Sequence, residues 1–206
     1  MNENLKNYIE DNILPQYINY DKAHQRDHIE TVIEESLNLA EHFGVDMDMA
    51  YAIAAYHDLG IPEGRETHHI TSAKRLLADK ELTKWFSDEK LKVMAEAIED
   101  HRASSKNEPR SIYGKIVAEA DRNIDTEIVL RRIIQYGISH FPDLNKEEQY
   151  TRMLGHLYEK YAEGGYIKLW IPESRNAKKL AELRLIIKDD SKLRSFYNKI
   201  YDSIIA

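Results

Sequence analysis

Four residues of metal-binding type stand at or beside apolar helical faces. His57 and Asp58 are adjacent and end an alanine-rich apolar run, which Gly60 then stops. His28 lies upstream of this doublet and Asp121 lies downstream, each on or beside apolar residues at helical spacing. Because buried imidazole and carboxylate groups are costly without partners, the set predicts a metal site.

The types of side chain in this set restrict the choice of metal. Imidazole and carboxylate ligands together favour a divalent transition metal, which we expect to be Mn, Fe, Ni, Co or Zn, while Mg stays open. The chain has no cysteine, which excludes disulfides, thiolate-bound structural zinc and a cysteine nucleophile. With so few protein ligands, positions would remain for water and substrate.

The elements that must carry these residues are helices. Apolar residues recur at helical spacing through nearly every segment, and no alternating run indicates a sheet, so the sequence predicts an all-α fold. One stripe over residues 22–43 carries His28, and the next helix runs from a cap at Asp46 or Asp48 to His57. Facing helices of one bundle could point such side chains at a common interior point.

Two further predicted helices carry histidines. Thr67 is predicted to cap a helix that carries His68 and His69 in its first turn. A helix started by Ser87 or Asp88 has an apolar stripe that ends at His101.

The helix predicted to carry Asp121 inward continues on both sides of it, so an N-cap role for Asp121 is not expected, while a buried salt bridge with Arg122 or Arg131 stays open. Its apolar stripe consists of Ile112, Ile116, Val117, Ala120 and Ile124.

Chain length and composition bound the organisation. With 206 residues, the chain predicts a single domain, in which a motif-bearing core at about residues 22–135 is followed by a helical extension at about 136–206. The extension is rich in tyrosine, and its last helical stripe, from Leu193 to Ile204, would pack on the core or on a second copy, so a homodimer is possible.

Charge and hydropathy exclude several classes of partner. The net charge of −7 comes from interspersed charges of both signs, so we expect no duplex nucleic acid as partner. No stretch is long and apolar enough for a membrane span, and the first ten residues are polar rather than typical of a signal peptide. We therefore expect a soluble cytoplasmic protein without a membrane partner.

Three runs of the sequence resemble the HD superfamily of metal-dependent phosphohydrolases, whose pattern is a His, then a His-Asp doublet, then a distant Asp. The runs are DKAHQRDHIETV over residues 21–32, AAYHDLG over residues 54–60 and AEADR over residues 118–122. The resemblance covers roughly residues 22–135. It implies a helical HD-domain bundle in which His28, His57, Asp58 and Asp121 bind the metal.

The resemblance leaves open whether one or two ions bind. Some members of the family hold two metals and add histidines between the doublet and the last Asp, and His68 and His101 occupy matching places here. Those members often have two adjacent histidines where this chain has His101-Arg102. A second ion would then lack a ligand unless His69 or water supplies it.

A divalent metal lowers the pKa of bound water, so the expected reaction is attack of that water on phosphorus. Asp58 would bind the metal and orient the water, or bridge two metals as the family implies. Negative charge on phosphate needs a cation, and the cations nearest the ligands in sequence are Arg122, Arg102, Lys115 and Arg26. Arg122 comes first, although adjacent residues of a helix point about 100° apart, so it could instead pair with a carboxylate.

The resemblance implies a phosphohydrolase whose substrate is a nucleotide or another small phosphate ester. Phosphatase, pyrophosphatase and phosphodiesterase action stay open. Hydrolysis of guanosine tetraphosphate is disfavoured, since the acidic pair that such members carry after the doublet is missing, and the residues typical of deoxyguanosine triphosphate hydrolases are missing too.

Two alternatives to turnover stay open: a metal- and nucleotide-binding sensory module, and a helical scaffold whose polar residues pair internally. His24, one turn before His28, could only support or border the site. His42, His140 and His156 match no part of the pattern.

Overall fold

The computed structural model describes residues 1–19, 26–103, 105, 107–122 and 124–205. These residues form ten α-helices with three short 3₁₀ helices and no strand, which confirms the predicted all-α class. None of the described helices combines the length and the apolar character needed to cross a bilayer. The chain divides into two compact units, Met1–Arg122 and Asn123–Ala206. The prediction that they act as one domain stays a prediction.

The first unit contains six α-helices and the 3₁₀ helices. The α-helices are α1 (Glu3–Asn12), α2 (Arg26–Phe43), α3 (Met47–Tyr56), α4 (His68–Ala78), α5 (Asp88–Asp100) and α6 (Ile112–Ala120). The 3₁₀ helices are Leu14–Asn19, Ile61–Glu63 and Lys80–Lys84.

Helix α3 is the central element of this unit. Every residue from Met49 to Tyr56 is buried, and helices α1, α2, α4, α5 and α6 all contact α3. Four alanines in this stretch keep the helix narrow, so its neighbours can pack closely on all sides. A polar side chain at the end of α3 is therefore delivered into the interior.

Asp46 caps the start of α3, as one of the two predicted candidates. Its carboxylate accepts hydrogen bonds from the backbone amides of Asp48 and Met49, and Lys90 Nζ lies 2.7 Å from its Oδ2. Burial raises the pKa of Asp46, but the Lys90 ammonium and the two amides outweigh it and hold the pKa below its ordinary value. The ionised carboxylate is thus the form that stabilises the helix start.

The starts of α4 and α5 differ from each other. Ser87 caps α5 as predicted, accepting from the amide of Lys90. Thr67 precedes α4 as predicted, but its side chain makes no capping hydrogen bond. Its main-chain carbonyl instead accepts from the amides of Ile70 and Thr71, because its backbone is not in the extended conformation of a side-chain cap.

The end of α6 departs from the prediction. The predicted helix continued past Asp121 to Ile124, but α6 ends at Ala120 and Asp121 occupies the C-cap position. Asp125 begins a new helix with its side chain, which accepts from the amides of Glu127 and Ile128. The apolar spacing at Ile124 therefore belongs to the core of the second unit rather than to α6.

The second unit has four helices around its own core. They are α7 (Thr126–His140), α8 (Lys146–Lys160), α9 (Arg175–Lys188) and α10 (Asp190–Ile205). The last apolar stripe predicted from the sequence lies on α10, where Leu193, Tyr197 and Ile200 are buried in this core.

Candidate metal centre

The turn after α3 delivers His57 and Asp58 into the interior. His57 is the C-cap of α3 and is fully buried, and Asp58 is buried beside it. His57 Nδ1 lies 2.7 Å from the carbonyl oxygen of Ala54. A carbonyl can only accept, so Nδ1 carries the hydrogen and donates it. In the neutral ring Nε2 then carries the lone pair, which is the arrangement that a metal-binding histidine needs.

Four side chains converge at this point, and we call them the first donor group: His28, His57, Asp58 and Asp121. Asp58 Oδ2 lies 3.8 Å from His28 Nε2 and 3.3 Å from His57 Nε2. Asp121 Oδ1 lies 3.3 Å and 3.7 Å from the same two nitrogens. Since metal–ligand distances are about 2.0–2.2 Å, donor atoms spaced this way can share one cation.

The other oxygen of Asp58 belongs to a second donor group, formed with His68 and His101. Asp58 Oδ1 lies 3.4 Å from His68 Nε2 and 3.5 Å from His101 Nε2. The two carboxylate oxygens of Asp58 therefore face different groups. The resemblance to the HD superfamily implied these three residues as ligands, and the structure brings them together.

The two histidines of the second donor group face each other with the same kind of atom. Their Nε2 atoms are 3.0 Å apart. His68 Nδ1 lies 2.7 Å from the Arg65 carbonyl oxygen, and His101 Nδ1 lies 2.5 Å from that of Ile98, so both Nδ1 atoms are donors. In the neutral rings both Nε2 atoms carry lone pairs, which repel unless a proton or a metal ion lies between them and Asp58. This donor set fits a cation.

The charges of the first donor group also favour a bound cation. Burial raises the pKa of Asp58 and of Asp121, but the neighbouring imidazoles outweigh it and hold both pKa values well below the usual range. Burial lowers the pKa of His57, but these two carboxylates outweigh it and hold the pKa well above its usual range. His57 Nε2 is buried and has no hydrogen-bond partner among the described residues. The site thus attracts positive charge at Nε2, which a metal ion can supply.

The other histidines that the structure describes belong to neither donor group. His69 is not among the residues that converge with Asp58. Burial lowers the pKa of His69 to about 4, with His101 and His68 adding to the effect, so the ring is neutral at physiological pH. His24 lies outside the described residues.

Three of the four cations predicted to bind substrate are engaged with protein groups. Arg122 Nη1 donates to the main-chain carbonyl of His101 at 2.9 Å. Arg102 Nη1 donates to the carbonyl of Glu66 at 2.6 Å, and Lys115 Nζ lies 2.5 Å from Glu108 Oε1. The side chain of Arg26 is outside the described part of the chain. Their roles toward substrate stay predictions.

Two contacts around the site carry no motif that would have revealed them. The amide of Gly60 donates to Ser72 Oγ at 2.8 Å, and Thr71 Oγ1 donates to the Gly60 carbonyl at 3.3 Å, so the turn after α3 is joined to the start of α4. The φ of Gly60 is −81°, a value open to any residue. Gly60 is required because α4 approaches it closely, not because of its own backbone conformation. A single sequence does not distinguish between these two reasons for a glycine.

Comparison with known proteins agrees with this geometry. The family model of the HD domain matches residues 26–123, and no curated protein matches the chain. Among solved structures, a predicted HD superfamily hydrolase from an uncultured Thermotogales bacterium, determined at 1.45 Å, is similar in fold. It is 22% identical with a TM-score of 0.50, and the match covers 73% of this chain and 82% of that one. The segment that matches the HD-domain model contains the His, His-Asp and Asp pattern, which confirms the resemblance predicted from the sequence.

Proposed function

We propose that this protein is a metal-dependent hydrolase that cleaves a small phosphate ester, with a nucleotide as the favoured substrate class. The observation that carries the proposal is the shared carboxylate of Asp58, whose two oxygens face two groups of histidine nitrogens. Such a pair of donor groups is suited to two neighbouring divalent cations, which is an arrangement used in phosphoryl chemistry.

The donors favour a transition metal at both positions. Each group combines imidazole nitrogens with carboxylate oxygens, so Mn, Fe, Co, Ni or Zn fits better than Mg, which prefers an all-oxygen shell. The second donor group offers Asp58, His68 and His101. Water or substrate would complete its coordination, which is how catalytic sites keep an open position.

A bound divalent cation would supply Lewis acidity at phosphoryl oxygens and would lower the pKa of a neighbouring water. The protein residues position these partners. The hydrogen bonds from Nδ1 to carbonyl oxygens hold the rings of His57, His68 and His101 against rotation, so their Nε2 atoms stay aimed at Asp58. Hydrolysis then forms a bond between the water oxygen and phosphorus and breaks the bond to the leaving oxygen, which takes up a proton.

The exposed fractions of the donor side chains indicate the side from which substrate would enter. The side chains of His57 and His101 are at most 1% exposed, which closes the inner side of the site to bulk water. The side chains of His28, His68 and Asp121 are 15%, 12% and 22% exposed. A phosphate group and the attacking water would therefore approach past these three residues.

The acidic character of the chain supports dependence on cations for substrate binding. The net charge is −7, and a phosphorylated substrate would be repelled without local positive charge. Because Arg122, Arg102 and Lys115 already have protein partners, bound cations would be the main attraction for the phosphate.

The test compares wild type with Asp58→Ala and with His42→Ala, whose exposed histidine lies outside both donor groups. Each protein is freed of metal, loaded with Mn²⁺ or Co²⁺, analysed for metal atoms per chain, and assayed for release of phosphate or pyrophosphate from a panel of nucleotides and small phosphate esters. We expect metal binding and turnover in wild type and His42→Ala, and loss of both in Asp58→Ala.

Two results would contradict the proposal. Metal binding without product release across the panel would favour a sensory module, since the site would then bind without turning over. Equal turnover in Asp58→Ala and wild type would place the chemistry elsewhere.

A further inference from the structure

Arg122 lies between the two donor groups. It follows Asp121 directly at the end of α6, and its side chain is only 6% exposed. Its Nη1 donates to the main-chain carbonyl of His101 at 2.9 Å and lies 3.5 Å from Asp121 Oδ2. One guanidinium nitrogen therefore contacts a residue of the first donor group and a residue of the second.

In these two contacts Arg122 meets atoms that do not face the cation positions. Asp121 uses Oδ1 toward His28 and His57, and Arg122 approaches its Oδ2. His101 uses Nε2 toward Asp58, and Arg122 binds its main-chain carbonyl at the C-cap of α5. Through these two contacts the guanidinium fixes Asp121 and His101 without using Asp121 Oδ1 or His101 Nε2.

A direct role in binding the substrate phosphate is less consistent with this placement. A phosphate-binding arginine presents two N–H groups of its planar fork to the ligand. Here Nη1 is committed to the His101 carbonyl, and the side chain is nearly inaccessible, whereas Asp121 next to it is 22% exposed. The positive charge of Arg122 would also repel cations bound beside it. Its presence there is therefore better explained by a role in positioning the residues that bind them.

We propose that Arg122 is a positioning residue that fixes His101 relative to Asp121, and so couples cation binding at the second donor group to the geometry of the first. This inference rests on the proposed function, in that it needs cations at both groups. Loss of the guanidinium would free the end of α5 to move relative to α6. His101 would then be displaced from Asp58 Oδ1, while His28, His57, Asp58 and Asp121 would keep their mutual contacts.

The experiment titrates metal-free wild type, Arg122→Gln and Arg122→Lys with Co²⁺, followed by calorimetry and by the visible absorption of the bound ion. Arg110→Gln is the matched control, because Arg110 also joins the end of α5 through the Glu96 carbonyl and Asp100 but touches no donor residue. Circular dichroism and the Tm report folding. Turnover of the best phosphate ester gives kcat and KM.

We expect two ions per chain in wild type and Arg110→Gln. In Arg122→Gln we expect the second ion to bind about 10-fold to 100-fold more weakly, as for other residues that orient metal ligands. Compared with wild type, the visible spectrum of Arg122→Gln should differ only when the second equivalent of Co²⁺ is added. Its kcat should fall with little change in KM. Arg122→Lys keeps the charge without the fork, so it should fold like wild type yet still lose affinity for the second ion.

The outcomes separate this inference from the proposed function. Two ions bound with wild-type affinity in folded Arg122→Gln and Arg122→Lys would overturn the positioning role alone. A rise in KM with unchanged Co²⁺ binding would overturn it in favour of phosphate binding. Wild type that binds fewer than two ions would overturn both the inference and the two-cation form of the proposed function.

Discussion

The Gly60→Ala substitution would place a methyl carbon inside the contact between the turn after α3 and the start of α4. That carbon would lie 2.0 Å from Thr71 Oγ1, 2.5 Å from the carbonyl oxygen of His68 and 2.7 Å from the amide nitrogen of Ser72. Thr71 Oγ1 can rotate away, but two of the three atoms belong to the backbone of α4. The first turn of α4 must therefore shift by roughly 1 Å, and such overpacking costs about 1–3 kcal/mol of unfolding free energy.

The shift acts on the second donor group more than on the first. His68 opens α4 and lies 3.4 Å from Asp58 Oδ1, so it moves with the backbone that the new methyl group displaces. His28 and Asp121 are carried by α2 and by the end of α6, which this methyl group does not touch. We expect affinity for the second ion to fall by about 10-fold to 100-fold, with a smaller change for the first.

The assay combines urea unfolding of the metal-free protein with calorimetric titration of Mn²⁺ or Co²⁺. Gly155→Ala is the matched control, because a Cβ at Gly155 in α8 meets no atom within 4 Å. Alanine there should leave ion binding unchanged and stabilise the helix by about 0.4–1 kcal/mol. If Gly60→Ala retains wild-type stability and binds both ions as wild type does, the close-approach argument is wrong.

Three further predictions concern stability. Asp46→Ala removes the α3 cap and should cost about 1 kcal/mol at pH 7. Because the pKa of Asp46 is lowered in the folded protein, this contribution to stability should be complete above the unfolded pKa and vanish as pH falls through the folded pKa. Urea unfolding of wild type and Asp46→Ala from pH 7 to pH 3 measures the difference in stability, and a difference that stays constant over this range would contradict the prediction. Asp79→Ala leaves the hydroxyls of Tyr8 and Tyr56 without their shared acceptor and should cost about 1–3 kcal/mol, whereas Tyr8→Phe, measured alongside by the same unfolding curves, should cost less. Removal of metal by a chelator should lower the Tm of wild type and leave the Tm of Asp58→Ala unchanged. If the free ion was present at 100 times its Kd, the loss for wild type corresponds to about 2.7 kcal/mol. A wild-type Tm that does not change when the chelator is added would contradict cation binding.

The helices could be predicted because their signals are local, whereas the donor groups needed the family resemblance. The apolar stripe of α2, the buried run of α3 and the capping residues Asp46 and Ser87 all act within one or two turns of chain. The resemblance to HD proteins then selected His28 over His24 and grouped His68 with His101, which helical spacing could not have done.

The features that could not be predicted depend on long-range packing. Helix geometry predicted that the side chains of Asp121 and Arg122 diverge. However, Asp121 is the C-cap of α6, so Arg122 lies beyond the helix and its Nη1 contacts both the His101 carbonyl and Asp121 Oδ2. Thr67 has a residue type suited to capping, yet its backbone conformation leaves that role to its carbonyl. The need for glycine at position 60 arises from α4, which approaches from later in the chain.

Three histidines of the site each make the same kind of local hydrogen bond, which affects how the site assembles. His57, His68 and His101 each donate from Nδ1 to the carbonyl of the residue three positions earlier in the chain. The orientation of each ring is therefore encoded within a four-residue segment and needs no distant partner. Each ring can lose its rotational freedom as soon as its own turn forms, before the helices pack. When these three turns come together around Asp58, with His28 and Asp121 completing the first donor group, their rings are already oriented, which reduces the conformational search that remains when the core closes.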